Sequence, residues 1–258
     1  MRQIEALQVV GEFAADQWGM ITAAQAVRAD IDGILLARLV NAGLLHNISR
    51  GVYVLHTAFG TTPHMDEKAA WLRLAPTRPA WERAPLDEDG GVISHRSAAR
   101  VHELGDLLSE QVEITVPQRR TTRDPHVKLR RGTLRPEDVT TVDGLPVTTI
   151  ERTIDDLLSD HADGGHVGEA LAQAVREDRV DLDALVLRIA RHSTKYGFGR
   201  RDGHSLVEGL LRQVGYSSHD NLRKRHLRDA ARALANLDAH QLDAVIALAA
   251  EIRSEERP

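Results

Sequence analysis

Ser97 lies between His95 and His102 in the stretch "ISHRSAARVHELG". A hydroxyl flanked by imidazoles is the raw material of a nucleophile and its base. The same stretch has a plainer use, with Ser94 as a helix N-cap and Gly105 as a helix stop. No Gly-x-Ser-x-Gly elbow accompanies it, and the 13 histidines include no His-Glu-x-x-His. Asp155 and Asp156 form an acidic pair of the kind that metal-dependent nucleases use, yet no lysine follows on a strand. The expected role of Glu151, Asp155 and Asp156 is helix-end electrostatics and partner contact. The glycines of "YGFGRRDG" (196–203) have no buried strand before them and no Gly-Lys-Ser/Thr. They read as an interhelical loop whose Arg200, Arg201 and Asp202 are available to a partner. With 0 cysteines there are no disulfides, thiolate zinc sites or cysteine nucleophiles. The expectation is a protein with no catalytic residue, metal or cofactor.

What remains is recognition, and it needs elements to carry it. Ile4, Leu7, Val10 and Ala14 recur at helical spacing over residues 3–17, and Gly19 ends that helix. Thr22 is placed to cap a second helix over 23–29. Asp30 or Asp32 can cap a third, with Ile34, Leu35, Leu39 and Val40 as its apolar side. Gly43 stands at its C′ position. Two strands follow at 44–48 and 52–55, turned by Ser49-Arg50-Gly51 in "GLLHNISRGVYVL". Helix, short strand, helix, turn, helix and hairpin is the order of a winged helix-turn-helix, with the hairpin as wing. Arginine and asparagine are the side chains that read base edges. The candidate DNA contacts are therefore Arg28, Arg38, Asn41, Asn47 and Arg50, the last at the wing tip.

Beyond residue 60 the chain changes character. "DEKAAWLRLAP" (66–76) reads as helix and "TRPAWERAPLDEDGG" (77–91) as loop. Val92-Ile93 is a short strand, and Ser94 to Leu104 a helix. "QVEITVP" (111–117) alternates as a strand, and "HVKLRRGTL" (126–134) is another. Two further strands meet at an Asp143-Gly144 turn, and Thr148 or Thr149 opens a helix. Helices are expected over 165–179, 181–193, 203–214 and 219–252. The fold class expected is α+β: a winged helix-turn-helix at 1–60, then a mixed α/β domain at 61–258. The sheet of that domain should lie at about 92–150 and its helical part at 150–252.

Once "ISRGVY", "ISHRSAA", "TVP" and "DGLPVTT-ER-DDL" are taken in this order, the chain resembles the AbiEi antitoxins, the regulator half of type IV toxin–antitoxin pairs. The resemblance covers residues 3–215. It implies a winged helix that binds inverted repeats in its own promoter, and a second domain that counteracts a nucleotidyltransferase-like toxin. Family members differ in how they neutralise the toxin. A protein kinase-like modification of the toxin, and an adaptor whose winged helix has lost DNA, stay open as alternatives. The resemblance places antitoxicity after residue 60, and a fragment from Thr61 is long enough to fold alone.

Charge divides the chain further. Hydrophobic residues make up 42% and charged residues 28%, enough to build a core of Ala, Leu, Val and Ile without many aromatics. The net charge of -5 argues against a general nucleic-acid coat protein and leaves room only for local patches. Within 1–60, Arg2, Arg28, Arg38 and Arg50 face Glu5, Glu12, Asp16, Asp30 and Asp32, a poor balance for a DNA-binding surface. The densest basic run is Arg119, Arg120, Arg123, Lys128, Arg130 and Arg131. Strand alternation puts Lys128 and Arg130 on one face. The run is either a charged edge that discourages strand pairing or a site for an anionic partner. No secretory leader and no bilayer-spanning run is expected, so the protein is read as cytoplasmic.

Overall fold

A computed structural model of the chain describes residues 3–107 and 109–216. The helix expected over 219–252 lies outside the described residues.

α1 (Gln3–Ala15) buries Ala6, Val10 and Ala14 at four-residue spacing. β1 (Met20–Thr22) runs straight into α2 (Ala23–Arg28). Thr22 and Gln25 close a capping box between them: the Gln25 amide donates to the Thr22 hydroxyl at 3.1 Å, and Thr22 N donates to the Gln25 side chain at 2.9 Å. α3 (Gly33–Asn41) is opened by the Asp32 carboxylate, which accepts from Leu35 N at 2.8 Å. β2 (Leu45–Ser49) and β3 (Val52–Leu55) complete a three-stranded antiparallel sheet in the order β1-β3-β2. Ile34 corrects the expected apolar side of α3. It is 67% exposed, and Leu36 takes its place beside Leu35 and Leu39. At about 100° per residue, Ile34 falls in the stripe of Arg38 and Asn41, opposite the core.

α4 (Met65–Leu72) follows, then a segment with one turn of 3-10 helix at Ala80–Glu82. β4 (Val92–Ile93), α5 (His95–Val101), β5 (Val112–Val116) and β6 (Val127–Arg131) come next. β7 (Val139–Val142) and β8 (Leu145–Thr148) are joined at Asp143 and Gly144, with φ of 47° and 76°. Two successive left-handed residues make the hairpin turn that fits the twist of the strands. The sheet order is β6-β5-β4-β8-β7, with β5/β6 and β4/β8 parallel and the other pairs antiparallel. α6 (Ile150–Ser159), α7 (Gly164–Arg176), α8 (Leu182–Ile189), a 3-10 segment (Ala190–Tyr196) and α9 (Gly203–Gln213) form the helical part.

β5 is the alternating strand expected, and all five of its residues are buried. It lies inside the sheet. Val112, Ile114 and Val116 join the hydrophobic core around α4, whereas Glu113 and Thr115 turn to the Ser94–Ser97 end of α5.

The expected boundary at residue 60 crosses a continuous core. The alternation of β1 and β3 divides between two clusters. Ile21, Tyr53 and Leu55 face the helices α1–α3. Met20, Val52 and Val54 pack with Ala69–Leu72, Ile93, Ile114, Leu145 and Val147. The chain through Val214 is one compact unit.

Candidate nucleic-acid interface

α3 turns Ile34, Ala37, Arg38 and Asn41 outward while Leu35, Leu36 and Leu39 hold it to the core. Arg38 and Asn41 are exposed and have no side-chain partner among the described residues. Asn47 is exposed on β2, where a bulge shifts the pairing so that Asn47 opposes Tyr53 and Ser49 opposes Val52. Arg50 is exposed at the hairpin tip beside Gly51, whose φ of 76° lets the strand reverse. The tip is anchored, since Ala23 N at the start of α2 donates to Gly51 O at 2.8 Å. Arg38 and Asn41 on α3, Asn47 on β2 and Arg50 in the turn are thus all exposed, and the turn is held to α2.

Arg28, unlike the other four, has a partner within the fold. Its guanidinium donates to Thr77 O at 2.8 Å, so it fastens a neighbouring segment, and its remaining N–H groups stay exposed. The same segment is held by Thr22, whose hydroxyl donates to Pro76 O, and by Gln25, which donates to Arg78 O at 3.1 Å. Gln17 accepts from Ala80 N at 2.9 Å and exchanges hydrogen bonds with Gln25. Residues 76–80 are therefore clamped across the capped end of α2. Sequence reading missed this network because a glutamine inside an alanine-rich stretch carries no signal of a partner more than fifty residues away.

The second candidate cluster does not form one basic edge. Lys128 and Arg130 do share a face of β6, but the face is turned to Glu113. Arg130 bonds Glu113 at 2.7 Å and Asp160 at 2.6 Å, while Lys128 is 3.6 Å from Glu113. Burial opposes the Arg130 charge, but these carboxylates outweigh it and hold its pKa above the ordinary value. Arg120 donates to Asp89 O at 2.7 Å and to Leu74 O at 2.8 Å, which ties down the loop before β4. Arg119, Arg123 and Arg131 are exposed and have no partner among the described residues.

The groups that could have suggested catalysis are occupied within the fold. The Ser97 hydroxyl accepts from Glu113 N at 2.9 Å. His102 Nε2 lies 2.7 Å from Thr148 O. Ser94 occupies the N-cap position of α5, but its hydroxyl meets Thr115 and His95 and does not cap. The Glu113 carboxylate caps instead, accepting from Arg96 N at 2.9 Å. Asp155 and Asp156, expected at a partner surface, are only 3% and 4% exposed. Asp155 meets His192 at 2.8 Å and Arg191 at 2.8 Å, and Asp156 accepts from Arg152 at 2.8 Å. Glu151 caps α8 from a distance by accepting from Asp181 N at 2.9 Å. "YGFGRRDG" is the interhelical loop expected, and Asp202 caps α9 through Ser205 N at 2.9 Å. Among the described residues, no group of three or more His, Asp or Glu is placed to hold a metal, and no helix is long and apolar enough to cross a membrane.

Residues 8–56 match the family model described as a transcriptional regulator, AbiEi antitoxin. The matched span runs from the middle of α1 to the residue after β3, and so covers the elements that carry Arg38, Asn41, Asn47 and Arg50. No curated protein matches the chain. Among solved structures, the RV2827C protein from Mycobacterium tuberculosis is similar at 16% identity and a TM-score of 0.47, over 82% of this chain and 77% of that one.

Proposed function

We propose that residues 3–60 act as a winged helix-turn-helix that binds promoter DNA, and that the protein is the regulator and antitoxin of a type IV toxin–antitoxin pair. The observation that carries this reading is the family match at 8–56, which falls on elements whose outward face presents unpartnered Arg38, Asn41, Asn47 and Arg50. α3 is the reading helix and the β2–β3 hairpin the wing, pinned to α2 through Gly51 O. Arg50 meets the phosphate backbone, while Arg38 and Asn41 address base edges. Inverted repeats in the operator would seat two copies. The antitoxin part follows from the resemblance over residues 3–215: the region after residue 60 counteracts a nucleotidyltransferase-like toxin. The acidic mouth such an enzyme needs suits Arg119, Arg123 and Arg131, the exposed members of the basic run without an ion pair among the described residues. The internal bonding of Ser97, His102, Asp155 and Asp156 favours action by binding over action by covalent modification.

Gel-shift titration of the full chain on its own promoter at several salt concentrations tests the DNA reading. Arg50→Ala is expected to reduce the salt slope by about one unit, and Arg38→Ala to weaken binding by about 1–3 kcal/mol at one operator position. Wild-type affinity and slope in both variants would overturn it.

A further inference from the structure

An isoleucine 67% exposed in the first turn of a helix makes no contribution to the core behind it. Single exposed apolar side chains are common on protein surfaces and need no function. Ile34 is set apart by its position. Asn41 follows it by seven residues and Arg38 by four, so Ile34 and Asn41 are about 20° apart around the helix, with Arg38 in the same stripe. The first turn of a reading helix is the part that reaches base edges most directly. The side chain is β-branched and has few rotamers, so its methyl groups are held in one direction by the backbone.

This face therefore offers a large apolar contact, Ile34, in its first turn, then the smaller Ala37 and two hydrogen-bonding side chains. In the major groove a single feature is apolar, the C5-methyl group of thymine. We infer that Ile34 is a specificity-determining residue that packs on a thymine methyl in the operator. This rests on the reading of α3 as the DNA-reading helix. At about 1.5 Å rise per residue, Ile34 and Asn41 are roughly 10 Å apart along α3. That spans about three base-pair steps of roughly 3.4 Å. The thymine accordingly lies about three base pairs from the base that Asn41 addresses, which by the geometry of its side-chain amide is an adenine.

The test uses the full chain and a duplex it selects from a random pool. Each thymine is replaced in turn by deoxyuridine, which removes the methyl group and keeps every hydrogen bond. Wild-type protein is expected to lose about fourfold in affinity at one thymine per half-site, the equivalent of one buried methyl(ene). Ile34→Ala is expected to be insensitive to that same replacement. Since the scan reads wild-type protein, it does not depend on the variant folding. Selective binding with no sensitive thymine, or equal sensitivity in Ile34→Ala, overturns the inference and leaves α3 as a reading helix. Failure to select any duplex would instead remove the DNA reading on which it stands.

Discussion

Asp156 and His95 show how single buried groups set the pH response of this fold. The Asp156 carboxyl is raised to about 6 by burial, against the pull of Arg152. His95 is lowered to about 4, by burial first and then by Arg130. Their side chains lie 3.9 Å apart. The raised Asp156 contributes stability that is present below its unfolded value and is lost as pH rises through about 6. The lowered His95 works in the opposite direction: the unfolded chain takes up a proton first, so stability falls as pH drops from 6.5 toward about 4. Between pH 4 and 6 the two effects oppose each other. Asp156→Asn removes one of them, so denaturation of that variant should show stability falling more steeply with acid. The extra slope should approach about 1.4 kcal/mol per pH unit, the weight of one proton. Parallel stability profiles for wild type and Asp156→Asn would show that the carboxyl does not titrate in this window.

At the scale of elements, the parts with local signals were legible in the sequence. Thr22, Asp32 and Thr149 cap the helices they were expected to cap, and Asp143-Gly144 turns its hairpin. A cap or a tight turn is decided within four residues, so a short window contains its cause. The partners of Arg130 and Arg120 lie 17 to 46 residues away, and no short window contains them. A run of basic residues therefore read as one surface when three of its members, Arg120, Lys128 and Arg130, meet partners within the fold. The bond from Arg28 to Thr77 O was hidden for the same reason, since Thr77 is 49 residues on. The role of Arg28 as a fastener has a measurable consequence. If the Arg28 guanidinium keeps its bond to Thr77 O in the complex, Arg28→Ala should leave the salt slope of DNA binding unchanged, unlike Arg50→Ala. It should cost at most about 1 kcal/mol of stability, the net worth of one exposed hydrogen bond. A slope reduced by a full unit would place Arg28 in the DNA-contacting set.

The whole molecule is tied across residue 60 by packing and by polar contacts together. Trp18 donates to Asp143 O at 2.8 Å and meets the Trp71 ring edge-on at 5.9 Å. Lys68, fully buried, is neutralised by an ion pair with Asp143 and lies over the Trp18 ring at 5.4 Å. Gly144 leaves room for that indole, since a Cβ there would fall 2.9 Å from Trp18 Nε1. The two roles proposed for the chain therefore share one core on either side of residue 60, where the sequence placed a boundary between two pieces. A fragment starting at Thr61 would lose Trp18, Met20, Val52 and Val54. It would uncover the apolar side of Ala69–Leu72 and open one side of the Lys68–Asp143 pair to water. Removing one large apolar side chain from a core costs about 2–5 kcal/mol, and the whole stability of a domain is about 5–15 kcal/mol. The fragment is expected to be recovered aggregated or to melt without a cooperative transition. The full chain through Val214 should unfold its two sheets together. Hydrogen exchange that shows the β1–β3 sheet opening with the β4–β8 sheet intact and protected would mean that the shared core is not what couples them.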